Sequence, residues 1–353
     1  MNVTTTTPVA ITGVGVISRP AIGAQELARA ADLWHSEPSD PTDPTNNERP
    51  WAIAELDNFA PAEFLGKRGW RFLPEATRVA LAAVQLALAH ANEAADDATE
   101  HAPERVGVAL GTNFAVDAVV DRIDRALLAE GIAGISPVEC PNFSVNVPAG
   151  RLGIAHGLRA FNITLVNLLT AGLESALVGA RAMADDRADA VLVGAVEGRP
   201  PAAARTVTGP GVDAAGACLL HLERPERAAE RGAAVHAQLT GGSRRTVPGN
   251  PAAAQRVLAA ALDALGAPPG VLHLSLPAEG GEHVAQAAED WAKARGAGTG
   301  LTVTTGAPQG SATPVLGLAQ HLVRGVHESA VVGALGPRGN LTLLRIEPPR
   351  SRA

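Results

Sequence analysis

The sequence predicts an α/β protein built from two similar halves. Short runs of Val, Ile, Leu and Ala alternate with helical patterns, which is typical of parallel strands whose connecting helices cover the sheet. Both halves end in the same order of strand, helix, strand, connector and strand. With 46% hydrophobic and 18% charged residues, the 353-residue chain can bury the large core that this fold needs.

Hydrophobic periodicity defines the elements of the first half. Apolar runs bounded by Gly, Pro or charged residues indicate buried strands, and apolar residues three and four positions apart indicate helices. Strands are predicted at residues 9–12, 106–110, 163–166, 190–196 and 217–223, and helices at residues 24–31, 74–95, 116–129 and 172–184. Gly13 and Gly15 are expected to end the first strand in a turn, and residues 36–49 and 200–215 to be loops.

The same signals return in the second half. Strands are predicted at residues 233–239, 271–276, 301–304, 329–335 and 341–347, and helices at residues 252–265, 284–295 and 312–323. We therefore divide the chain into an N-terminal half, residues 1–228, and a C-terminal half, residues 229–353.

Charge and cysteine content exclude several classes of function. The 29 Lys and Arg residues against 36 Asp and Glu residues give a net charge of −7, so we expect neither a nucleic-acid surface nor a polybasic membrane patch. Neither a signal peptide nor a membrane span is evident, and we expect a cytoplasmic protein. The two cysteines, Cys140 and Cys218, cannot form a disulfide framework or a four-ligand zinc site, and no metal site is predicted.

Five segments, in order along the chain, resemble the β-ketoacyl synthases of fatty acid and polyketide assembly. They read VAITGVGVIS at residues 9–18, LGKRGWR at 65–71, RLGIAHGLR at 151–159, ADAVLVGAVE at 188–197 and GACLLHLE at 216–223. The resemblance implies a thiolase-like fold, in which two duplicated βαβαβαββ halves form a five-layered αβαβα arrangement. The N-terminal half would carry the pseudo-active site and a gating helix.

The residues that catalyse condensation in this family are replaced here. The position that matches the nucleophilic Cys is Leu169, whose side chain cannot attack a thioester. The positions that match the two catalytic His and the Lys fall near Pro277, Ala307 and Thr302. Residues 336–339, GPRG, stand in place of the family's Gly-Phe-Gly-Gly gating turn. The resemblance therefore implies a chain that does not itself carry out condensation.

Residues 169–174, LTAGLE, are similar to the corresponding stretch of chain-length factors, the non-catalytic subunits of type II polyketide synthases. Such a subunit pairs with an active ketosynthase in a heterodimer and forms part of the tunnel for the acyl chain. The ketosynthase performs decarboxylative Claisen elongation with units brought by an acyl carrier protein. No cofactor is expected on this chain, because phosphopantetheine-borne substrates would reach the partner on the carrier protein.

The resemblance also indicates which residues form the tunnel wall. The gating helix matches residues 111–129, and its candidate wall positions are Phe114, Asp117, Val120, Asp121 and Asp124. Burying unpaired carboxylates beside a plain alkyl chain is costly, so these acids lead us to hypothesise a polyene or another partly reduced product rather than a poly-β-ketone.

Two alternatives remain at this point. The chain could be an independent thiolase-fold acyltransferase or malonyl decarboxylase that uses other residues, such as Cys140, His273 or His283. The other alternative, which is the least favoured of the three hypotheses, is a homodimeric scaffold without an acyl tunnel.

Overall fold

The computed structural model describes most of the chain. The described residues are 2–3, 7–19, 21–30, 56, 58–95, 101–199, 215–295, 299–306 and 310–350. The loop predicted at residues 36–49, most of the loop predicted at 200–215, and Ala307 lie outside the described residues.

Each predicted strand and helix is present. The strands are β1 (Asn2–Val3), β2 (Val9–Ile17), β3 (Val106–Gly111), β4 (Asn162–Leu165), β5 (Ala190–Glu197), β6 (Gly216–Glu223), β7 (Ala237–Thr246), β8 (Val271–Leu276), β9 (Gly300–Thr305), β10 (Ala330–Leu335) and β11 (Asn340–Glu347). The helices are α1 (Ala24–Arg29), α2 (Pro61–Leu65), α3 (Glu75–Asn92), α4 (Asp117–Glu130), α5 (Val147–His156), α6 (Ala171–Ala184), α7 (Pro225–Glu230), α8 (Pro251–Asp263), α9 (Glu282–Ala294) and α10 (Ala312–Arg324). Periodicity did not predict β1, α2, α5 or α7, and it placed β7 several residues too early.

The strand order confirms the duplication. The first half is ordered β4-β3-β5-β6-β2 and the second half β7-β11-β10-β8-β9, so the second order mirrors the first. In the first half β4, β3 and β5 pair in parallel, and β6 and β2 pair antiparallel with their neighbours. In the second half β9, β8 and β10 pair in parallel, and β11 and β7 pair antiparallel with their neighbours. A short antiparallel pairing of β2 with β7, from Val9↔Leu239 to Ile11↔Ala237, joins the halves. The division at residues 228 and 229 falls inside α7 and stays a prediction.

The helices lie in three layers around the strands. Helices α6 and α10 contact each other and share a core with strands of both halves, which makes them the central layer. Helix α3 covers the outer face of the first half, whereas α8 and α9 enclose the outer core of the second half. The predicted αβαβα arrangement is therefore confirmed. No helix in the described part of the chain is long and apolar enough to cross a membrane.

The prediction that β2 ends in a turn at its first glycines is wrong, because β2 continues to Ile17. The glycines serve close packing instead. A Cβ atom built on Gly13 would lie 2.2 Å from the carbonyl oxygen of Ala87, and one on Gly15 would lie 1.9 Å from that of Ala83. Helix α3 can therefore lie directly on the strand only where side chains are absent.

A cluster of charges fixes the beginning of β5. The Asp189 carboxylate accepts hydrogen bonds from Arg105 at 2.8 and 3.0 Å and from Arg224 Nε at 2.9 Å. The hydrogen bond from Arg105 is the main reason that the pKa of Asp189 falls to about 2. The cluster therefore connects the start of β3, the start of β5 and the end of β6.

We predict that Asp189→Asn lowers the free energy of unfolding by about 1–2 kcal/mol at pH 7, allowing for partial solvent screening. Because the folded-state pKa lies below the unfolded value, the stabilisation is complete above about pH 4 and is lost as the pH falls toward 2. Urea unfolding at several pH values should show the difference between wild type and variant shrinking below pH 4.

Asp185→Asn is the matched control, since its i,i+4 pair with Arg181 is exposed and should contribute less than about 0.5 kcal/mol. A difference for Asp189→Asn that is constant from pH 7 to 3 would contradict the assignment.

Candidate functional site

The connection from β4 to α6 bends sharply at Leu169. This residue has a φ of +68° and is 2% exposed. The left-handed conformation costs a non-glycine L-residue about 1–2 kcal/mol and persists only where surrounding contacts enforce it. Sharp, strained turns between a strand and a helix hold the nucleophile in several enzyme families. The backbone at Leu169 therefore has the form of a nucleophile elbow, but its side chain is an alkyl group.

A buried carboxylate, Glu174, holds the turn from within α6. It is 1% exposed and accepts hydrogen bonds from Thr170 Oγ1 at 2.9 Å and from Asn167 Nδ2 at 2.8 Å. Arg244 at the end of β7 forms an ion pair with it at 3.1 Å. Residues on both sides of Leu169 therefore hydrogen-bond to the Glu174 side chain.

A second buried carboxylate, Glu197 at the end of β5, joins the neighbouring segments. It accepts hydrogen bonds from the backbone N–H groups of Asn113 and Phe114, both at 2.8 Å, which begin the connection to α4. It also accepts from Ser311 N at 3.1 Å and Ser311 Oγ at 2.5 Å at the start of α10. Burial raises the pKa of Glu197, and these donors oppose that rise.

Glycines bring other segments close to the elbow. A Cβ atom on Gly172 would lie 2.4 Å from the carbonyl oxygen of Ser311, so the beginnings of α6 and α10 meet there. One on Gly336 would lie 2.9 Å from the carbonyl oxygen of Leu168. The turn at residues 336–339, predicted from its sequence position as the gating turn, therefore lies against the elbow.

The residues predicted to lie near the positions of the family's two His and Lys have no titratable side chain. Pro277 follows β8 and is half-buried, and Thr302 lies inside β9, paired in register with His273. Ala307 lies outside the described residues. These side chains offer neither a base nor an acid to a reacting group.

The residues considered for an independent enzyme lie on separate elements. Cys140 is exposed in a short 3₁₀ helix (Cys140–Asn142). His273 is buried in β8 and contacts Thr304 Oγ1 at 3.1 Å and the site of Gly317 on α10, which places it on the inner face of the sheet. His283 is the second residue of α9, which covers the outer face. The sheet therefore separates the two histidines.

A cavity of about 430 Å³ lies beside the gating-helix segment and includes one predicted wall residue, Phe114, which is 6% exposed. The other lining residues come from the segment before α3, the first turns of α3 and α4, the 3₁₀ helix and the end of β5. They are Arg71, Phe72, Leu73, Pro74, Glu75, Ala76, Arg78, Ala115, Ala118, Val119, Arg122, Val138, Glu139, Asn142, Gly198 and Arg199.

The other four wall candidates do not line this cavity. Asp117 is half-buried, which raises its pKa, and Asp121 forms an ion pair with Arg125 at 2.9 Å. Val120 and Asp124 are exposed on α4. The residues of this helix that line the cavity are Ala118, Val119 and Arg122. That Asp117, Val120, Asp121 and Asp124 face a wider tunnel stays a prediction.

The family model described as the β-ketoacyl synthase N-terminal domain matches residues 6–206, more than half of the chain. The chain belongs to the β-ketoacyl synthase family. The match includes the elbow, both buried glutamates and the gating-helix segment.

Among curated relatives, this family member is similar to 3-oxoacyl-[acyl-carrier-protein] synthase 2 of Coxiella burnetii, at 31% identity over 194 residues. That match covers 54% of this chain and 45% of the relative. The enzyme of the same name from Vibrio harveyi is 34% identical over 118 residues, which cover 32% of this chain and 28% of that protein. The matched segments thus span less than half of either relative.

Two solved structures share the fold over 97% of this chain and 100% of theirs, each with a TM-score of 0.75. One is a type II PKS ketosynthase bound to the hexaketide, in complex with its acyl-carrier protein (AntDE:AntF), at 19% identity. The other is the ishigamide ketosynthase/chain length factor, at 23% identity. Together they confirm the thiolase-like ketosynthase fold.

Sequence reasoning found the elbow position but missed the two buried glutamates that surround it. Glu174 and Glu197 each lie in a predicted element, where a single acidic residue resembles a solvated surface position. Their placement among apolar residues was a signal, since a carboxylate in a core element needs donors around it.

At position 169 we predict that the Gly variant is more stable than the Ala variant, the reverse of the usual order within a helix. Leu169→Ala loses a buried side chain and keeps the left-handed backbone, at a cost of about 2–4 kcal/mol. Leu169→Gly loses the same side chain but accepts a φ of +68° without a Cβ clash, so it should be about 0.5–1 kcal/mol more stable than the Ala variant. Chemical denaturation measures both.

The control position is Leu173, which is fully buried in α6. There Gly should be about 1 kcal/mol less stable than Ala, as is usual within a helix. If Gly is also the less stable substitution at position 169, the turn does not enforce the conformation described above.

Proposed function

We propose that this chain is the non-catalytic, chain-length-factor subunit of a ketosynthase heterodimer that elongates a polyketide or polyene on an acyl carrier protein. The conformation of Leu169 carries this proposal. The backbone at Leu169 is strained in the manner of a nucleophile elbow, and the side chain at this position, which the resemblance matches to the family nucleophile, is an alkyl group. A thioester cannot be attacked from this site, so chain elongation requires a Cys on a partner.

Exposed apolar residues support a partner on the first half. Within the described chain, the large hydrophobic side chains that are exposed fall between residues 72 and 166. They are Phe72, Val120, Leu127, Leu128, Ile132, Val138, Phe143, Ile154 and Val166. Single exposed hydrophobic residues are ordinary, but a concentration in one region is typical of a protein interface.

The edge of the sheet supports the same placement. Strand β4 ends the strand order of the first half and has β3 as its neighbour on one side. Its residues are exposed or half-buried, as are those of the other edge strand, β9, whereas β3 beside it and β5 beyond β3 are fully buried. An open edge followed by an exposed Val166 can pair with a second chain of the same fold.

The similar solved structures include a ketosynthase with its acyl-carrier protein and a ketosynthase/chain length factor, which suggests the same kinds of partner for this chain. No cofactor is assigned to it, because the carrier protein would bring its phosphopantetheine arm to the partner's Cys. The cavity beside Phe114 would form the part of the acyl tunnel that this subunit contributes.

The test combines this chain with a candidate partner ketosynthase, a carrier protein and malonyl units. We expect the heterodimer to elongate and each subunit alone to be inactive. Phe114→Ala enlarges the cavity and should shift the products toward longer chains, measured by mass spectrometry. Phe161→Ala is the control, since Phe161 packs against β3 at Gly107 and does not line the cavity; it should leave product length unchanged.

Robust elongation by this chain alone, abolished by Cys140→Ala, would contradict the proposal and favour an independent acyltransferase. An active heterodimer whose product length does not respond to Phe114→Ala would remove the role of this subunit in chain length.

A further inference from the structure

The cavity beside Phe114 combines an apolar wall with a cationic one. Phe72, Leu73, Phe114, Val119 and Val138 supply apolar surface. Its volume of about 430 Å³ lies in the range of small-molecule sites, which are mostly apolar with a few polar groups that fix the ligand's orientation.

Basic residues outnumber acidic residues among the described residues that line this cavity. Four guanidinium groups, from Arg71, Arg78, Arg122 and Arg199, line it together with two carboxylates, from Glu75 and Glu139. Of these, Arg199 is engaged in another interaction as well. Glu139 already accepts from Arg122 at 3.1 and 3.2 Å.

Arg78 adds an independent observation. Its Nε atom is shielded from solvent and has no hydrogen-bond partner among the described residues. Its guanidinium lies 5.8 Å from the centre of the Trp70 ring, which restricts its position. A buried N–H group without an acceptor is rare and costly, and an anionic oxygen is the acceptor that a guanidinium prefers.

We propose that this cavity binds an acyl chain that bears a carboxylate, with the chain against Phe114 and the carboxylate against Arg78 and Arg122. This inference rests on the proposed function, because it names the class of chain that the tunnel accepts. A plain alkyl chain would leave the buried Nε–H of Arg78 without an acceptor, so it should bind more weakly. The carboxylate accepts hydrogen bonds, and no covalent bond changes.

Binding to the purified full chain tests the inference with a matched pair of probes. These are the N-acetylcysteamine thioesters of octanedioic acid, which keeps one free carboxylate, and of octanoic acid. We expect the octanedioyl probe to bind at least about tenfold more tightly, as measured by calorimetry. The preference should be lost in Arg78→Met and in Arg122→Met.

Arg125→Met is the control, because Arg125 lies on the same helix, is exposed and pairs with Asp121 outside the cavity. It should keep the full preference. Equal binding of the two probes, or a preference that survives both cavity variants, would overturn the inference. Tighter binding of 4′-phosphopantetheine without an acyl chain would also overturn it, since the anion would then belong to the carrier's arm.

The same preparations, combined with the partner ketosynthase, separate the two proposals. Elongation of octanoyl primers without any preference for the carboxylate overturns this inference alone. Failure to elongate either primer overturns the proposed function.

Discussion

The left-handed turn at Leu169 is the constraint on which the site depends. A leucine adopts this conformation only because both ends of the turn are fixed, by β4 on one side and by the first turn of α6 on the other. Glu174 binds residues before and after the turn, and so prevents it from relaxing into a longer, looser connection. The strain is retained although the position has no nucleophile.

Two buried glutamates connect the turn and its neighbouring segments to other parts of the molecule. Glu174 forms an ion pair with Arg244 of the second half. Glu197 accepts hydrogen bonds from the segment before α4 and from the start of α10. A carboxylate in an apolar interior is stable only while its donors stay in place. The elbow, the gating-helix segment and the central helices are therefore held as one unit, which is the rigidity that the proposed tunnel wall requires.

Much of the fold could be predicted from the sequence because its signals are local. Alternating apolar runs gave the order of strands and helices, and family-like segments gave the layers and the position of the elbow. The extent of β2 could not be predicted, because Gly13 and Gly15 read as turn residues until α3 is known to lie on them. The arginine-lined cavity was also missed, since Arg71 and Arg78 are distant in sequence from Arg122 and Arg199 and line one cavity with them only in three dimensions.

The central claim is that this chain forms an elbow without a nucleophile and serves a catalytic partner. Its most direct measurement is the intact mass of both subunits after the heterodimer is incubated with an acyl thioester. The account predicts an acyl adduct on the partner ketosynthase and an unchanged mass for this chain. A stoichiometric adduct on this chain, with none on its partner, would contradict it.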